Sequence, residues 1–253
     1  MENQTIAKPE PNAFFRWGIL LFVSLAMFGN YYIYDSISPL ADLLAKQLKF
    51  SNANIGLLQG IYSVPNVFMV LIGGIIIDKI GTRISTFVFT LLCLLGAIVT
   101  ASFSDLTMMA IGRLVFGLGA ESMIVAVTTV IGRWFKGKQL SFAFGLNLTL
   151  ARLGSFAALN SPTWARSFYE HWQTPLLISV AAGVISIAAV IIYWGMDAYS
   201  ERNYSLRPVP KQDKIVLKEI FSFSTSYWFV VLLCVTFYSG IFPFQTFAVN
   251  FFM

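Results

Sequence analysis

Two opposite charges lie inside apolar stretches of this sequence. Glu121 closely follows Gly117-Leu-Gly119 in one hydrophobic run, and Arg152 lies in a second run that begins near Gln139. Burying an ionisable side chain in such a run is costly, so it usually lies in a pathway or a paired site. Arg presents a planar fork that suits a carboxylate, and Glu accepts hydrogen bonds from an ammonium group. The two residues could therefore bind a ligand that carries both charges, or could simply join two helices.

The composition indicates a membrane protein that crosses the bilayer several times. Hydrophobic residues make up 57% of the 253 residues and charged residues 11%, whereas a soluble domain has about 25% charged residues. The apolar runs are about 20 residues long, enough to cross a bilayer core of roughly 30 Å. We predict an all-α membrane protein whose spans lie at about residues 15–34, 54–77, 84–103, 106–132, 139–161, 173–196 and 226–253.

Other residue types that could carry chemistry give no sign of a metal, cofactor or catalytic site. Cys93 and Cys234 both lie inside apolar runs, and the single histidine, His171, has no second ligand near it in sequence. Gly117-Leu-Gly119 is not a phosphate loop, because no strand precedes it and no Gly-Lys-Ser/Thr follows it. The net charge of +5 suits basic residues on one face of a membrane. We expect no metal, cofactor, enzymatic activity or nucleic-acid partner.

The distribution of basic residues predicts the orientation of the chain. Most of the 17 Lys and Arg residues fall in the tail 1–14, in the connections after the second and fourth spans, and in the hydrophilic segment 198–223. These parts are predicted to be cytoplasmic. Glu121 and Arg152 then lie roughly 16 and 20 Å from the cytoplasmic ends of their helices, at similar depth. Segment 198–223 follows the sixth span and marks a domain boundary before the last apolar run.

The connection between the second and third spans carries a motif of glycines and charges. It reads Gly74-x-x-x-Asp78-Lys79-x-Gly81-Thr82-Arg83. Gly74 is expected to allow close helix packing, and Gly81 to permit a reversal of the chain within few residues. We expect Asp78 to pair with Lys79 or Arg83, or to cap a neighbouring helix.

The fourth span carries a second motif, Arg113-x-x-x-Gly117-x-Gly119. Together with the preceding motif, it resembles the major facilitator superfamily. That resemblance implies two six-helix bundles related by pseudo-symmetry, alternating access, and a binding site near the bilayer midplane between them. Residues 15–197 would form the N-terminal six-helix bundle and 224–253 the first helix of the C-terminal bundle. On this interpretation the chain is truncated, and the remainder of the second bundle is absent.

Several blocks spread over the whole chain show a closer resemblance. The blocks are Phe28 to Asp35, Gly112 to Ser122, Trp134 to Lys138, Phe144 to Asn147, Ala151 to Ser155 and Phe242 to Phe244. They resemble the branch of lysosomal dipeptide uniporters called major facilitator superfamily domain-containing protein one. The resemblance implies that Glu121 and Arg152 hold a zwitterionic peptide.

Further polar residues lie on helices that line the cavity in this fold. They could bind the peptide, or could form hydrogen bonds between helices. For Arg113 we favour a structural or coupling role over direct contact with the substrate. The additional binding candidates are Tyr31, Tyr34, Tyr62, Asn66 and Asn147.

We therefore expect a secondary active or facilitative transporter for dipeptides or similar small zwitterionic solutes. Glu121 could also carry a coupling proton, so uniport and proton symport both stay open. In one alternative, an organic-anion transporter, Arg152 binds a carboxylate and Glu121 is only structural. A different class of alternative is a membrane scaffold or receptor that transports nothing. The tail at 1–11 has no acidic dileucine-type signal, which favours a bacterial inner membrane over the alternative, a lysosomal membrane.

Overall fold

The computed structural model describes residues 9–204 and 223–252. The chain divides into two compact units, Met1–Arg207 and Pro208–Met253. Only helices and turns occur in the described residues, and the all-α prediction is confirmed. Two 3-10 turns, Ser38–Leu40 and Arg166–Phe168, accompany the helices of the first unit. These helices are α1 (Ala13–Asp35), α2 (Ala41–Leu48), α3 (Asn52–Gly60), α4 (Ser63–Ser102), α5 (Leu106–Phe135), α6 (Leu140–Leu159), α7 (Ser161–Trp164) and α8 (Gln173–Asn203).

The described part of the second unit is one helix, α9 (Thr225–Phe252), with Pro243 in its interior. It occupies the last predicted span. The predicted cytoplasmic segment 198–223 begins inside α8, and its residues 205–222 lie outside the described residues. Its assignment as a loop therefore stays a prediction.

The second and third predicted spans belong to one continuous segment that reverses at Gly81. Asn52–Ser102 contains 51 residues, which would extend about 76 Å as a straight helix, far more than a bilayer core. Gly81 has φ 82° and ψ 163°, outside the helical region. A positive φ is easily adopted only by glycine, because it has no Cβ.

Contacts with α5 establish the direction of the first half of α4. A Cβ on Gly117 would lie 2.2 Å from the carbonyl oxygen of Tyr62. Further along α5, the Ser122 hydroxyl donates to the carbonyl oxygen of Met69 at 3.0 Å. Residue numbers rise together along the two helices, so this half of α4 runs parallel to α5.

The second half of α4 runs the other way along the same helix. A Cβ on Gly112 would lie 2.5 Å from the Thr100 hydroxyl, and one on Gly119 would lie 2.4 Å from the Phe89 carbonyl oxygen. Here residue numbers fall on α4 as they rise on α5. The chain thus folds back at Gly81, and the reversal predicted there is confirmed by these contacts.

A break in the helix precedes Pro65. α3 ends at Gly60 and α4 begins at Ser63, so Pro65 lies in the first turn of α4. Proline has no N–H to donate to the preceding turn, and the first turn of a helix is the place that tolerates it. The break therefore falls a few residues upstream of the proline.

The last helix of the first unit is longer than predicted, because a buried ionic cluster lies on its final turns. α8 was expected to end near residue 196 but continues to Asn203. Asp197 is fully buried and pairs with Arg83 at 2.6 Å and with Arg133 at 3.4 Å. The indole N–H of Trp134 donates to its other carboxylate oxygen at 3.1 Å. Asp197 thereby joins α8 to α4 and α5.

The partners expected for Asp78 in the turn motif were wrong. Arg83 pairs with Asp197 and Glu201 of α8, and Glu201 also lies 3.7 Å from Arg133. Asp78 is exposed and has no ion pair within the described residues. Asp197 is the stronger partner for Arg83 because it is buried, and its charge requires a cation nearby.

Of the two adjacent glycines before this turn, only Gly73 makes a close packing contact within the described residues. A Cβ on Gly74 would have nothing within 4 Å among the described residues, whereas one on Gly73 would lie 2.6 Å from the Ser122 hydroxyl. Neighbouring positions on a helix point about 100° apart, so only one of them faces α5. The packing role belongs to Gly73.

Helix α1 packs between α6 and α8. A Cβ on Gly154 of α6 would lie 2.1 Å from the Phe28 carbonyl oxygen, and Ser24 donates to Asn147 of α6 at 3.0 Å. These contacts make α6 parallel to α1. On the other side, the Ser186 hydroxyl of α8 donates to the carbonyl oxygen of Ala26 at 3.2 Å.

The contact at Gly154 can be tested against a second glycine on the same helix. Gly154→Ala is expected to lower the free energy of unfolding by about 1–3 kcal/mol, because the added methyl group overlaps the backbone of α1. Gly145→Ala is the matched control, since a Cβ there meets nothing within 4 Å and alanine favours the helix. Thermal unfolding in detergent measures both. Equal melting temperatures for the two variants would contradict this packing.

The ionic cluster gives a second prediction. Asp197→Asn leaves Arg83 and Arg133 without a buried counter-ion, and removing one partner of a buried pair costs about 3–5 kcal/mol. Asp78→Asn removes the same charge from an exposed position and should change stability little. The melting temperatures of the two variants in detergent provide the comparison. A fall of similar size in both would show that Asp197 has no special structural role.

Candidate functional site

Three tyrosines from the first unit form a continuous aromatic surface. Tyr31 and Tyr34 are three residues apart on α1 and so lie on one face of it, with ring centroids 6.3 Å apart. Tyr62 lies just before α4, and its hydroxyl donates to that of Tyr34 at 2.5 Å. Their rings meet edge to face at 4.8 Å. The structure thus brings together all three tyrosines that the sequence suggested.

Arg152 of α6 extends to one end of this surface. Its guanidinium carbon lies 5.2 Å from the centroid of the Tyr31 ring, within the range of a cation–π contact. The residue is exposed, so N–H groups remain accessible to a ligand. A guanidinium held against an aromatic face keeps its fork of donors in a defined plane.

Glu121 of α5 contacts the segment that follows Tyr62. The side-chain amide of Asn66 approaches one Glu121 carboxylate oxygen at 3.5 Å, a long contact for a hydrogen bond. Asn66 is one helical turn after Tyr62 on the same segment. The side-chain carbonyl oxygen of Asn66 is buried and has no hydrogen-bond partner within the described residues. A ligand donor placed between Asn66 and Glu121 would satisfy both acceptors.

Glu121 and Arg152 do not neutralise each other in the structure. Each contacts a different helix, Glu121 through Asn66 of α4 and Arg152 through Tyr31 of α1. Within the described residues no ion pair of 4 Å or less joins the two. The sequence left open that Glu121 and Arg152 form a structural salt bridge between α5 and α6. The structure does not contain that salt bridge.

Arg113 lies behind the tyrosines and is almost completely buried, with 1% of its surface exposed. Its Nε donates to the carbonyl oxygen of Leu58 at 3.0 Å, and its two terminal nitrogens donate to Ile33 at 3.1 Å and Tyr34 at 3.0 Å. The guanidinium also lies 5.5 Å from the Tyr62 ring centroid. Every nitrogen of the side chain is occupied by backbone, so Arg113 supports the aromatic surface from beneath.

Asp35 is a buried carboxylate beside the tyrosines that the sequence interpretation did not single out. It follows Tyr34 directly, and only 4% of its surface is exposed. Arg113 donates to the carbonyl oxygens of the two residues before it, Ile33 and Tyr34. The sequence treated it as the polar end of the first span. The sequence did contain a reason to consider Asp35, because this residue ends a tyrosine-rich block and is followed by further apolar residues.

The remaining predicted residues lie elsewhere or serve packing. Asn147 is buried and accepts the hydrogen bond from Ser24, which joins α6 to α1. Gly117 is the close contact between α5 and Tyr62, and Gly81 and Arg83 belong to the reversal of α4. Within residues 9–204 and 223–252, no group of three potential metal ligands occurs.

Comparisons with known proteins agree with this architecture. A family profile described as Major Facilitator Superfamily matches residues 23–253. The crystal structure of the POT family transporter PepTSo superposes with a TM-score of 0.61 and 19% sequence identity, and the match covers 80% of this chain and 40% of that one. At this identity the likeness concerns the fold alone.

Several curated proteins are similar in sequence. The lysosomal dipeptide transporter MFSD1 of Danio rerio is 31% identical over 239 residues, covering 89% of this chain and 52% of the relative. MFSD1 of Homo sapiens is 32% identical, with 89% and 51% covered. The hexuronate transporter of Escherichia coli K12 is 25% identical over 179 residues, covering 71% and 41%.

The chain thus spans about half the length of the curated relatives that it matches. Those relatives are named as transporters, not as enzymes. The match at residues 23–253 covers most of the sequence, including both motifs and the paired tyrosines. The chain belongs to the major facilitator superfamily.

Proposed function

We propose that this chain contributes the binding half of a secondary transporter for dipeptides or similar small zwitterionic solutes. One observation carries the proposal: Arg152 lies against the Tyr31 ring, Glu121 lies beside the Asn66 amide on another helix, and no ion pair joins the two charges. Two opposite charges that do not neutralise each other are suited to a ligand with one ammonium and one carboxylate group.

In the proposed complex each charged end of the peptide has its own partner. Arg152 binds the carboxylate through its planar fork, and Glu121 accepts hydrogen bonds from the ammonium group. Asn66 is next to Glu121, and its side-chain oxygen, which has no partner among the residues that the structure describes, would accept from a peptide donor. The rings of Tyr31 and Tyr34, next to Arg152, would pack against the peptide backbone or side chains.

The similar proteins support a dipeptide over the alternatives. The MFSD1 relatives, at 31–32% identity, are named as lysosomal dipeptide transporters. The hexuronate transporter, at 25% identity, supports the second candidate, an organic-anion transporter in which Arg152 binds a carboxylate and Glu121 is structural. These names weigh against a scaffold or receptor that transports nothing.

The proposed mechanism is alternating access between two bundles. In this proposal residues 15–197 form the N-terminal bundle, 198–223 the cytoplasmic connection and 224–253 the first helix of a second bundle. Uniport and proton symport are both compatible with a carboxylate at Glu121. The chain is a multi-pass membrane protein, and the names of the MFSD1 relatives match the lysosomal alternative. The bacterial inner membrane stays a prediction.

Two charge substitutions test the proposal in the full-length protein. Glu121→Gln and Arg152→Lys should each weaken dipeptide binding about 10- to 100-fold, since a hydrogen bond to a charged group contributes about 1.5–3 kcal/mol. Glu170→Gln and Arg166→Lys alter the same residue types in an exposed connection and should leave binding unchanged. Dipeptide affinity in detergent and uptake into liposomes are the measurements.

The same variants separate the candidate functions. If Glu121→Gln retains full transport of the preferred solute while Arg152→Lys abolishes it, and that solute is a mono- or dicarboxylate, the organic-anion function replaces the dipeptide function. If the unaltered protein in liposomes moves neither class of solute, the scaffold or receptor alternative is favoured.

A further inference from the structure

We propose that Asn66 makes this site selective for dipeptides whose N-terminal ammonium group has at least two N–H donors. The proposal rests on the proposed function and deepens it by naming the class of dipeptide that the site accepts. In this arrangement Glu121 supplies the negative charge and one hydrogen-bond acceptor, and the side-chain oxygen of Asn66 supplies a second acceptor. Asn66 is therefore a specificity-determining residue that contacts the ligand.

Asn66 of α4 and Glu121 of α5 form an amide–carboxylate pair. The distance from Nδ2 of Asn66 to Oε1 of Glu121 is 3.5 Å, which is long for a hydrogen bond. Both residues are partly exposed, so a ligand can approach them. Oδ1 of Asn66 is buried and has no hydrogen-bond partner within residues 9–204 and 223–252. The pair thus contains one weak contact and one unsatisfied acceptor.

Two close contacts between α4 and α5 fix the position of this pair. On one side of it, a Cβ on Gly117 would lie 2.2 Å from the Tyr62 carbonyl oxygen. On the other side, the Ser122 hydroxyl donates to the Met69 carbonyl oxygen at 3.0 Å. Small residues at such positions let helix backbones approach closely. Because the pair lies between these contacts, helix packing sets the distance between the amide and the carboxylate.

Rotation of the Asn66 amide turns its oxygen, which has no partner among the described residues, toward the ligand. The terminal torsion of an asparagine is broad and roughly two-fold, so a half-turn exchanges Oδ1 and Nδ2. This exchange gives up only the 3.5 Å contact with Glu121. An ammonium group between the two residues then donates one hydrogen bond to the Glu121 carboxylate and another to Oδ1 of Asn66. Both acceptors are satisfied in this complex.

The number of donors on the ligand nitrogen decides how many of these acceptors are satisfied. A primary ammonium group has three N–H donors, a secondary group has two, and a tertiary group has one. All three carry the same charge, so their attraction to Glu121 is similar. Only the tertiary group leaves one of the two acceptors unpaired, and an unpaired buried acceptor lowers the affinity. The second N-methyl group should therefore weaken binding about tenfold.

The test measures the dissociation constants of three forms of one neutral dipeptide for the full-length protein at neutral pH. The N-terminal nitrogen of the three forms carries no, one or two methyl groups. The unaltered protein should bind the first two with similar affinity and the dimethylated form about tenfold more weakly. Asn66→Leu keeps a side chain of similar size without the acceptor, so it should bind the monomethylated and dimethylated forms equally. The exposed control Asn52→Leu should retain the tenfold difference.

The ratio of the two methylated forms separates hydrogen bonding from size and from a structural role. If Asn66→Leu retains the difference, the second methyl group is excluded by its size and the inference is overturned. Should Asn66→Leu fail to fold, the unaltered protein still decides, because equal binding of all three forms, or an equal loss at each methyl group, contradicts two acceptors. If none of the three forms binds, the proposed function itself fails.

Discussion

The arrangement of the site depends on one buried guanidinium. Arg113 has 1% of its surface exposed and satisfies its nitrogens with the carbonyl oxygens of Leu58, Ile33 and Tyr34. Removing a charge from water costs several kcal/mol, and only such a set of acceptors offsets that cost. Because these acceptors belong to α1 and α3, the arginine of α5 fixes both helix ends. The tyrosines and Asp35 are positioned by this constraint.

Much of the fold could be predicted from local chemistry. The reversal at Gly81 follows from the backbone properties of one residue, so a single sequence was sufficient to predict it. The spans followed from runs of apolar residues, and the tyrosines from the resemblance to a fold whose helices line a cavity. The prominence of Glu121 and Arg152 followed from the cost of placing charge in apolar surroundings.

The errors concern partners that are distant in sequence. Asp197 was interpreted as a helix end, because nothing near it in the sequence reveals that Arg83 and Arg133 meet it in space. Asp35 was treated as a membrane boundary for the same reason. The choice between Gly73 and Gly74 depends on which face of α4 meets α5, and apolar residues on both faces of a membrane helix hide that rotation.

The central claim is that one ligand uses both Glu121 and Arg152. The most direct measurement is the affinity of the full-length protein for one neutral dipeptide in three forms: free, N-acetylated and C-amidated. Each cap removes one charged end, so we predict that either cap weakens binding about 10- to 100-fold. If the acetylated dipeptide binds as tightly as the free one, Glu121 does not hold the ammonium group and the account is wrong.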